Sequence, residues 1–161
     1  MEDNKKVKVR NAVNENITVN LPFIRFQREW AGRNAVFAID METLREMAMD
    51  PGSLYFFKRG MLVIEDAEVR MELGLETEDQ KLFTLNDAQM MAMLKTDSLE
   101  KFKENLKQMH TEQRVTLAQI AIANELFDLD KNDLMLKYTE IDVAAAIKLN
   151  REIKTELQQN K

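Results

Sequence analysis

The placement of its backbone-breaking residues constrains this chain more than any other feature. All four glycines and both prolines lie between Pro22 and Gly74, so the long stretch after Gly74 contains neither residue type. Gly and Pro are the strongest local interruptions of regular structure. The C-terminal half is therefore predicted to be helical throughout, whereas the part before Gly74 is predicted to consist of short elements.

Five segments before Gly74 are predicted to be β-strands, because they are rich in β-branched and aromatic residues and are separated by Asn, Pro or Gly. Side chains alternate between the two faces of a strand, so Ile24, Phe26, Arg28 and Trp30 are predicted to share one buried face. Together the strands predict a small, curled, barrel-like sheet. The five segments are VKVR (7–10), ITVNL (17–21), IRFQREW (24–30), AVFAID (35–40) and MLVIE (61–65).

The stretch between the fourth and fifth strands is predicted to be mainly helical. Asp40 is placed to cap a helix over 41–49, and Pro51 with Gly52 then favours a tight reversal. The segment 53–59 predicts about two further helical turns, which end at Gly60. This stretch is interpreted as a corner that closes the sheet.

Closure of the sheet does not explain why this corner contains two aromatic and two basic side chains, namely Tyr55, Phe56, Lys58 and Arg59. Aromatic and Arg side chains concentrate binding energy at protein interfaces. We therefore predict that these four residues form a protein-protein contact, with another subunit or with the acidic segment of a neighbouring copy. The alternative is that the two aromatic side chains plug the end of the barrel.

After Gly74, capping residues divide the chain into helices. The resulting prediction is an α+β fold: a small β-barrel-like module at 1–66, an acidic linker helix and loop at 67–83, and a C-terminal helical bundle at 84–161. The end of the chain, from Arg151, is polar and is predicted to fray. The helices are predicted at 85–94 after Thr84, at 99–109 after Ser98, at 111–126 from Thr111, at about 130–138 from Asp130, and from Asp142 onward.

Charge is unevenly distributed along a chain whose formal net charge is -5. Seven basic and two acidic side chains lie between Lys5 and Arg33, whereas seven acidic side chains and Arg70 lie between Glu65 and Asp79. The contrast is compatible with an internal charge match or a head-to-tail contact between copies, but two solvated faces are the favoured interpretation. Within the basic part, Arg10, Arg25 and Arg33 form a candidate basic patch.

No catalytic set is recognisable, and we predict no catalytic residue, no cofactor and no enzymatic activity. The absence of cysteine excludes thiolate catalysis and the usual structural zinc sites. His110 is the sole histidine, and neither Ser53 nor Ser98 has the sequence context of an activated nucleophile. His110 is interpreted as a cap at the C-terminal end of a helix.

One segment resembles a calcium-binding loop in part. Asp128, Asp130 and Asn132 match the first three ligand positions of an EF-hand. However, Asp133 stands where the loop requires Gly, and Thr139 stands where it requires the bidentate Glu. We therefore predict no metal site, and the acidic residues are interpreted as caps of the following helix.

Nucleic acid is an unlikely partner by the same sequence criteria. Arginines and aromatics between Phe23 and Arg33 have the composition of a surface that stacks single-stranded bases. Strand alternation, however, places Trp30 in the core. The segment 116–140 would also fit a helix-turn-helix, but its second helix begins with Asp130 and Asp133, which would repel phosphates.

No membrane association is predicted, because no segment approaches the roughly 20 apolar residues that span a bilayer. The N-terminal sequence MEDNKKVKVR contains no apolar stretch behind its lysines, so a secretory signal is not expected. The expected compartment is a cytoplasm.

Three segments, DPGSLYFFKRGMLVIED, VRMELGLE and KYTEIDVAAAIKLNR, resemble a group of small proteins encoded among the structural genes of tailed bacteriophages. The resemblance spans nearly the whole chain. It implies a non-enzymatic virion or assembly component, at a capsid vertex or a head-tail junction, that is present in the host cytoplasm during assembly and then in the virion. Its partners would be other phage structural proteins or copies of itself. The residues that carry the resemblance are Pro51, Gly52, Phe57, Gly60, Gly74, Tyr138, Asp142 and Ile147.

Two alternatives to this function stay open at this point. One is a phage regulatory protein that binds a host enzyme, and the other is a single-stranded nucleic-acid-binding protein. The sequence does not choose among the partners, the copy number or the stage of assembly.

Overall fold

A computed structural model describes residues 5–160, which form two small antiparallel sheets and eight α-helices. The predicted α+β class, with strands first and helices after them, is confirmed. Contacts divide the chain into two compact units, with the boundary between Thr84 and Leu85. The ends of the two outer predicted modules, residues 1–4 and residue 161, lie outside the described residues.

Each of the five segments predicted as strands overlaps a strand, but the strands do not form a barrel. They are β1 (Lys6–Asn11), β2 (Ile17–Leu21), β3 (Phe26–Trp30), β4 (Val36–Asp40) and β5 (Leu62–Ile64). In one sheet β1 lies between β4 and β5, and in the other β2 pairs with β3. The predicted barrel-like closure is wrong, because no ladder of hydrogen bonds among the described residues joins the two sheets.

The third strand starts two residues later than predicted. Pro22–Ile24 forms a 3-10 turn, and Arg25 has a left-handed φ of 53°, so the strand begins at Phe26. Phe26 and Trp30 are buried as predicted, but Arg28 is exposed, and so is Ile24, which lies in the 3-10 turn. The Arg28 guanidinium lies over the Phe26 ring, with its ζ carbon 5.2 Å from the ring centroid, and this position keeps the charge in water.

Trp30 belongs to the hydrophobic core of the first unit and is fully buried. Its indole Nε1 donates a hydrogen bond to the carbonyl oxygen of Val9 at 2.9 Å, and its ring contacts Phe37 edge to face with centroids 5.2 Å apart. The residue belongs to β3, whereas Val9 belongs to β1. The Trp30 side chain therefore connects the two sheets.

Asn11 organises the loops at the end of β1 and has no exposed surface. Its side-chain Nδ2 donates to the carbonyl oxygens of Glu15 at 2.7 Å and Gly32 at 3.0 Å, and its Oδ1 accepts from the Val13 N–H at 2.9 Å. Buried polar groups are costly unless they are hydrogen-bonded. Here the Asn11 amide is itself hydrogen-bonded, and it also provides partners for backbone groups in the loops after β1 and β3.

Three helices complete the first unit: α1 (Met41–Met49), α2 (Pro51–Lys58) and α3 (Ala67–Glu72). The side chains of Asp40, Asp50 and Asp66 cap their N-termini. In α1, Met47 is fully buried, whereas Met49 is 79% exposed. The segment predicted as a linker lies within this unit, since Val69 and Leu75 belong to its hydrophobic core.

The second unit contains five helices: α4 (Asp87–Lys95), α5 (Leu99–Gln108), α6 (Thr111–Ala123), α7 (Leu129–Thr139) and α8 (Val143–Gln159). Among them, α6 has the largest number of buried residues. Lys131 Nζ in α7 donates to the carbonyl oxygens of Met93 at 2.9 Å and Leu94 at 3.3 Å, and these bonds join α7 to the C-terminal end of α4.

Several helix ends differ from the prediction by one or two residues. Asn86, in a reciprocal capping box with Gln89, opens α4 in place of Thr84. Asp128 opens α7 in place of Asp130. His110 is the N-cap residue of α6, so its interpretation as a C-terminal cap is wrong. None of the described helices has the length and apolarity that a bilayer crossing needs.

Candidate protein-protein contact surfaces

Two of the four residues predicted to form a protein-protein contact, Tyr55 and Arg59, lie against each other at the end of α2. Tyr55 is 49% exposed, and the Arg59 ζ carbon lies 5.4 Å from the centroid of its ring. A guanidinium over an aromatic face is held by cation-π attraction, so the pair presents a preorganised, cationic and aromatic surface.

The other two residues of the predicted contact have structural roles within the first unit. Phe56 is half-buried and packs against the hydrophobic core. Lys58 Nζ donates a hydrogen bond at 3.0 Å to the carbonyl oxygen of Leu75, in the loop after α3. Lys58 therefore anchors this loop, and Phe56 contributes to packing.

The predicted basic patch consists of residues with different surroundings. The Arg10 side chain is only 13% exposed, and its Nε lies 2.8 Å from Glu65 Oε1. Arg33 Nη1 donates to Asn14 Oδ1 at 2.7 Å. Arg25 is exposed in the β2–β3 turn. The charge of Arg10 is thus already neutralised within the chain.

The basic and acidic segments contact each other through ion pairs. Lys5 Nζ lies 3.2 Å from Asp66 Oδ2, and Arg10 pairs with Glu65. The Lys5 ammonium, with the N–H groups of Val69 and Glu68, holds the pKa of Asp66 below its ordinary value. The favoured interpretation of two solvated faces is therefore corrected to an internal charge match, which arises because β1 and β5 are neighbouring strands.

A buried ion pair fixes the loop that follows α3. The Glu76 carboxylate is 1% exposed, and its Oε2 lies 3.1 Å from Arg70 Nε and accepts from the Leu82 N–H at 3.1 Å. Burial raises the pKa of Glu76, but the Leu82 N–H and the Arg70 guanidinium outweigh it, so the pKa lies below its ordinary value. The carboxylate is held ionised by these partners, which is typical of a structural pair.

The suspected calcium loop is helical. Asp128 Oδ1 accepts from the Lys131 N–H at 3.0 Å, so this carboxylate acts as a helix cap, as the sequence indicates. Over residues 5–160, no group of three or more His, Cys, Asp or Glu side chains is arranged to hold a metal ion. His110 donates its backbone N–H to Gln113 Oε1 at 2.8 Å.

The most distinctive surface lies on α8. Every residue from 151 to 160 is exposed, although the helix continues to Gln159. Leu149, Ile153 and Leu157 are 56%, 44% and 62% exposed. Their spacing of four residues places them on one side of the helix, and we call these three residues the α8 stripe.

The α8 stripe is distinct from the face with which α8 packs on its own unit. Val143 and Ile147 are buried and form the packed face. At about 100° per residue, the stripe is rotated by roughly 100° from this face. The stripe can therefore contact another surface while Val143 and Ile147 stay packed in the core of the second unit.

An open groove lies beside the first half of α8. It has a volume of about 410 Å³, and Phe127, which is 54% exposed, forms one wall. Arg151 Nε lies 2.8 Å from Glu125 Oε1 at its rim, and this cation lowers the pKa of Glu125. The lining residues are Glu125, Phe127, Ala144, Ile147, Lys148 and Arg151.

The sequence prediction of a frayed C-terminus missed the α8 stripe. The signal was present, because Leu149, Ile153 and Leu157 recur at helical spacing. The many charged and amide side chains between them favoured the interpretation of a polar tail. These side chains lie on the other sides of a continuous helix.

Comparisons of the chain with protein-family models, with curated proteins and with solved structures find no match.

Proposed function

We propose that this protein is a non-enzymatic assembly protein that works through protein-protein contacts. The observation that carries the proposal is the α8 stripe on a helix whose last ten described residues are all exposed. Neither a catalytic arrangement nor a cofactor is part of the proposal.

The physical argument concerns the stability of a helix without packing. In water, most helical stability comes from burial of an apolar face, and isolated helices shorter than about 12 to 15 residues are marginal. The exposed end of α8 has such an apolar face, the α8 stripe, but the rest of the second unit does not cover this face. Covering the stripe would both stabilise the helix and remove apolar surface from water, which is the driving force for association.

The resemblance to products of phage structural genes supplies the setting of the proposal. In that setting the protein is a component of a tailed-phage particle, at a capsid vertex or a head-tail junction, and it moves from the host cytoplasm into the virion. Its partners are other structural proteins or further copies. The complete burial of Trp30 and the pairing of Arg10 with Glu65 weigh against the nucleic-acid alternative.

The test measures incorporation of variants into particles. Ile153→Glu places a charge on the stripe and should reduce the amount of protein in purified virions at least tenfold by quantitative mass spectrometry. Thr155→Glu is the matched control, because it adds the same charge on the opposite side of α8 and should be incorporated normally. Both residues are exposed, so both variants should keep the melting temperature of the wild type.

Two results would contradict the proposal. Normal incorporation of Ile153→Glu would show that the α8 stripe makes no contact needed in the particle. Absence of the wild-type protein from virions, together with copurification of a host enzyme, would identify the regulatory alternative.

A further inference from the structure

We propose that the α8 stripe is the seam of a parallel homodimer, in which α8 of a second copy covers Leu149, Ile153 and Leu157. This inference rests on the proposed function, since it identifies the partner of the same surface. The argument comes from the charges that flank the stripe.

The stripe has the dimensions of a short coiled-coil seam. Relative to Ile153, Leu149 and Leu157 lie about 40° to either side on a helix of 3.6 residues per turn. Ala146 continues the line towards the N-terminus, and its small, partly exposed side chain lets a second helix approach there. The seam thus covers about three helical turns.

The two flanks of the seam carry opposite charges. Glu152 and Glu156 lie on one flank, about 100° and 60° from Ile153, whereas Lys154 lies about 100° away on the other flank. All three side chains are exposed. Charged residues at flanking positions determine partner choice and orientation in helical pairs.

This arrangement distinguishes the two possible orientations. In a parallel pair with two-fold symmetry, the acidic flank of each helix faces the basic flank of the other, so Glu152 and Glu156 approach Lys154 of the second copy. In an antiparallel pair centred on Ile153, each flank faces the equivalent flank of the other helix. Lys154 then lies near Lys154 of the second copy, and the glutamates of the two copies lie near one another. Charge complementarity therefore selects the parallel homodimer.

The seam is shorter than a standard interface, so the isolated protein should form a weak dimer. In an assembling particle, other contacts would hold copies near one another and raise their effective concentration. The homodimer would then form without a high intrinsic affinity.

The absence of cysteine from the chain permits a direct test of orientation by disulfide cross-linking. Leu149→Cys and Leu157→Cys should each form self-linked dimers under mild oxidation, because parallel helices bring identical positions together. A mixture of the two variants should form little 149-to-157 product, because these positions are about 12 Å apart along the axis of a parallel pair. Thr155→Cys, on the opposite side of the helix, measures random collision.

A charge reversal tests the reason for the orientation. Lys154→Glu should decrease the self-linking of Leu149→Cys at least fivefold, since it places Glu opposite Glu. Adding Glu152→Lys and Glu156→Lys should restore it. All variants change exposed side chains and should melt as the wild type does.

The inference is overturned if self-linking at 149 and 157 does not exceed that at 155 at protein concentrations up to about 1 mM, or if the 149-to-157 product dominates. If cross-linking fails while Ile153→Glu still loses incorporation, the stripe binds a different protein. The proposed function would then survive, and the homodimer would not.

Discussion

Replacement of Trp30 tests whether the core of the first unit is organised as described. Trp30→Ala removes a fully buried indole, its hydrogen bond to the Val9 carbonyl and its edge contact with Phe37. Trp30→Phe removes the hydrogen-bond donor but keeps an aromatic ring. The pair of variants therefore separates packing from hydrogen bonding.

The expected magnitudes follow from these contacts. Large-to-small changes at a buried aromatic residue decrease the free energy of unfolding by about 3 to 5 kcal/mol. A buried carbonyl that loses its donor costs about 1 to 3 kcal/mol. We expect Trp30→Ala to cost about 4 to 5 kcal/mol and Trp30→Phe about 2 kcal/mol. The larger loss is comparable to the whole stability of a small unit.

The assay must report on the first unit alone and must not depend on Trp30 itself, which is the only tryptophan. Hydrogen exchange followed by mass spectrometry meets both needs, because peptides from β1 and β3 report the opening free energy of this unit. Met49→Ala is the control within the same unit, since Met49 is largely exposed and its loss should cost less than about 0.5 kcal/mol.

Unchanged protection of β1 and β3 in Trp30→Ala would refute the packing argument. If that variant also lost binding to single-stranded nucleic acid, Trp30 would be a stacking residue and the nucleic-acid alternative would be preferred.

Two further predictions concern the loop after α3 and the end of α2. Glu76→Gln should lower the free energy of unfolding at pH 7 by roughly 1 to 3 kcal/mol. Because the folded pKa of Glu76 lies below the unfolded value, the stabilisation by its carboxylate is present above the unfolded pKa and is lost as pH falls through the folded pKa. Denaturant unfolding measured from pH 7 to pH 3 should therefore show the free energies of unfolding of wild type and Glu76→Gln converging. A difference that stays constant over this range would contradict the prediction. Tyr55→Ser with Arg59→Glu should keep the melting temperature and reduce incorporation into virions; early melting with normal incorporation of the folded protein would show that this pair only closes the fold.

Local signals in the sequence predicted most elements of this fold. Four strands and several helix starts agree with the structure within a residue, because alternation and side-chain caps depend on neighbouring residues. Asp40 and Asp142 cap the helices that they were predicted to open. The α2 helix also ends before Gly60, whose φ is 69°.

The errors concern relations between distant residues. The barrel closure depended on which strands pair, and the pairing of β1 with both β4 and β5 has no local signature. The ion pairs of Lys5 with Asp66 and of Arg10 with Glu65 follow from that pairing, so the sequence indicated an internal charge match only as an alternative to two solvated faces. At the candidate surface, Tyr55 and Arg59 were named from composition, but the structural roles of Phe56 and Lys58 depend on contacts across the unit.

Met47 and Met49 differ in exposure to solvent, so their rates of oxidation can report how often α1 opens. Both thioethers belong to α1, two residues apart, yet Met47 is fully buried and Met49 is 79% exposed. Peroxide converts accessible methionine to its sulfoxide, which increases the mass of the peptide and is reversible by reductases. Met49 should react at the rate of a free thioether, whereas Met47 should react only when α1 detaches from the core. The ratio of the two rates therefore measures, in one peptide and without any substitution, how often this part of the protein opens.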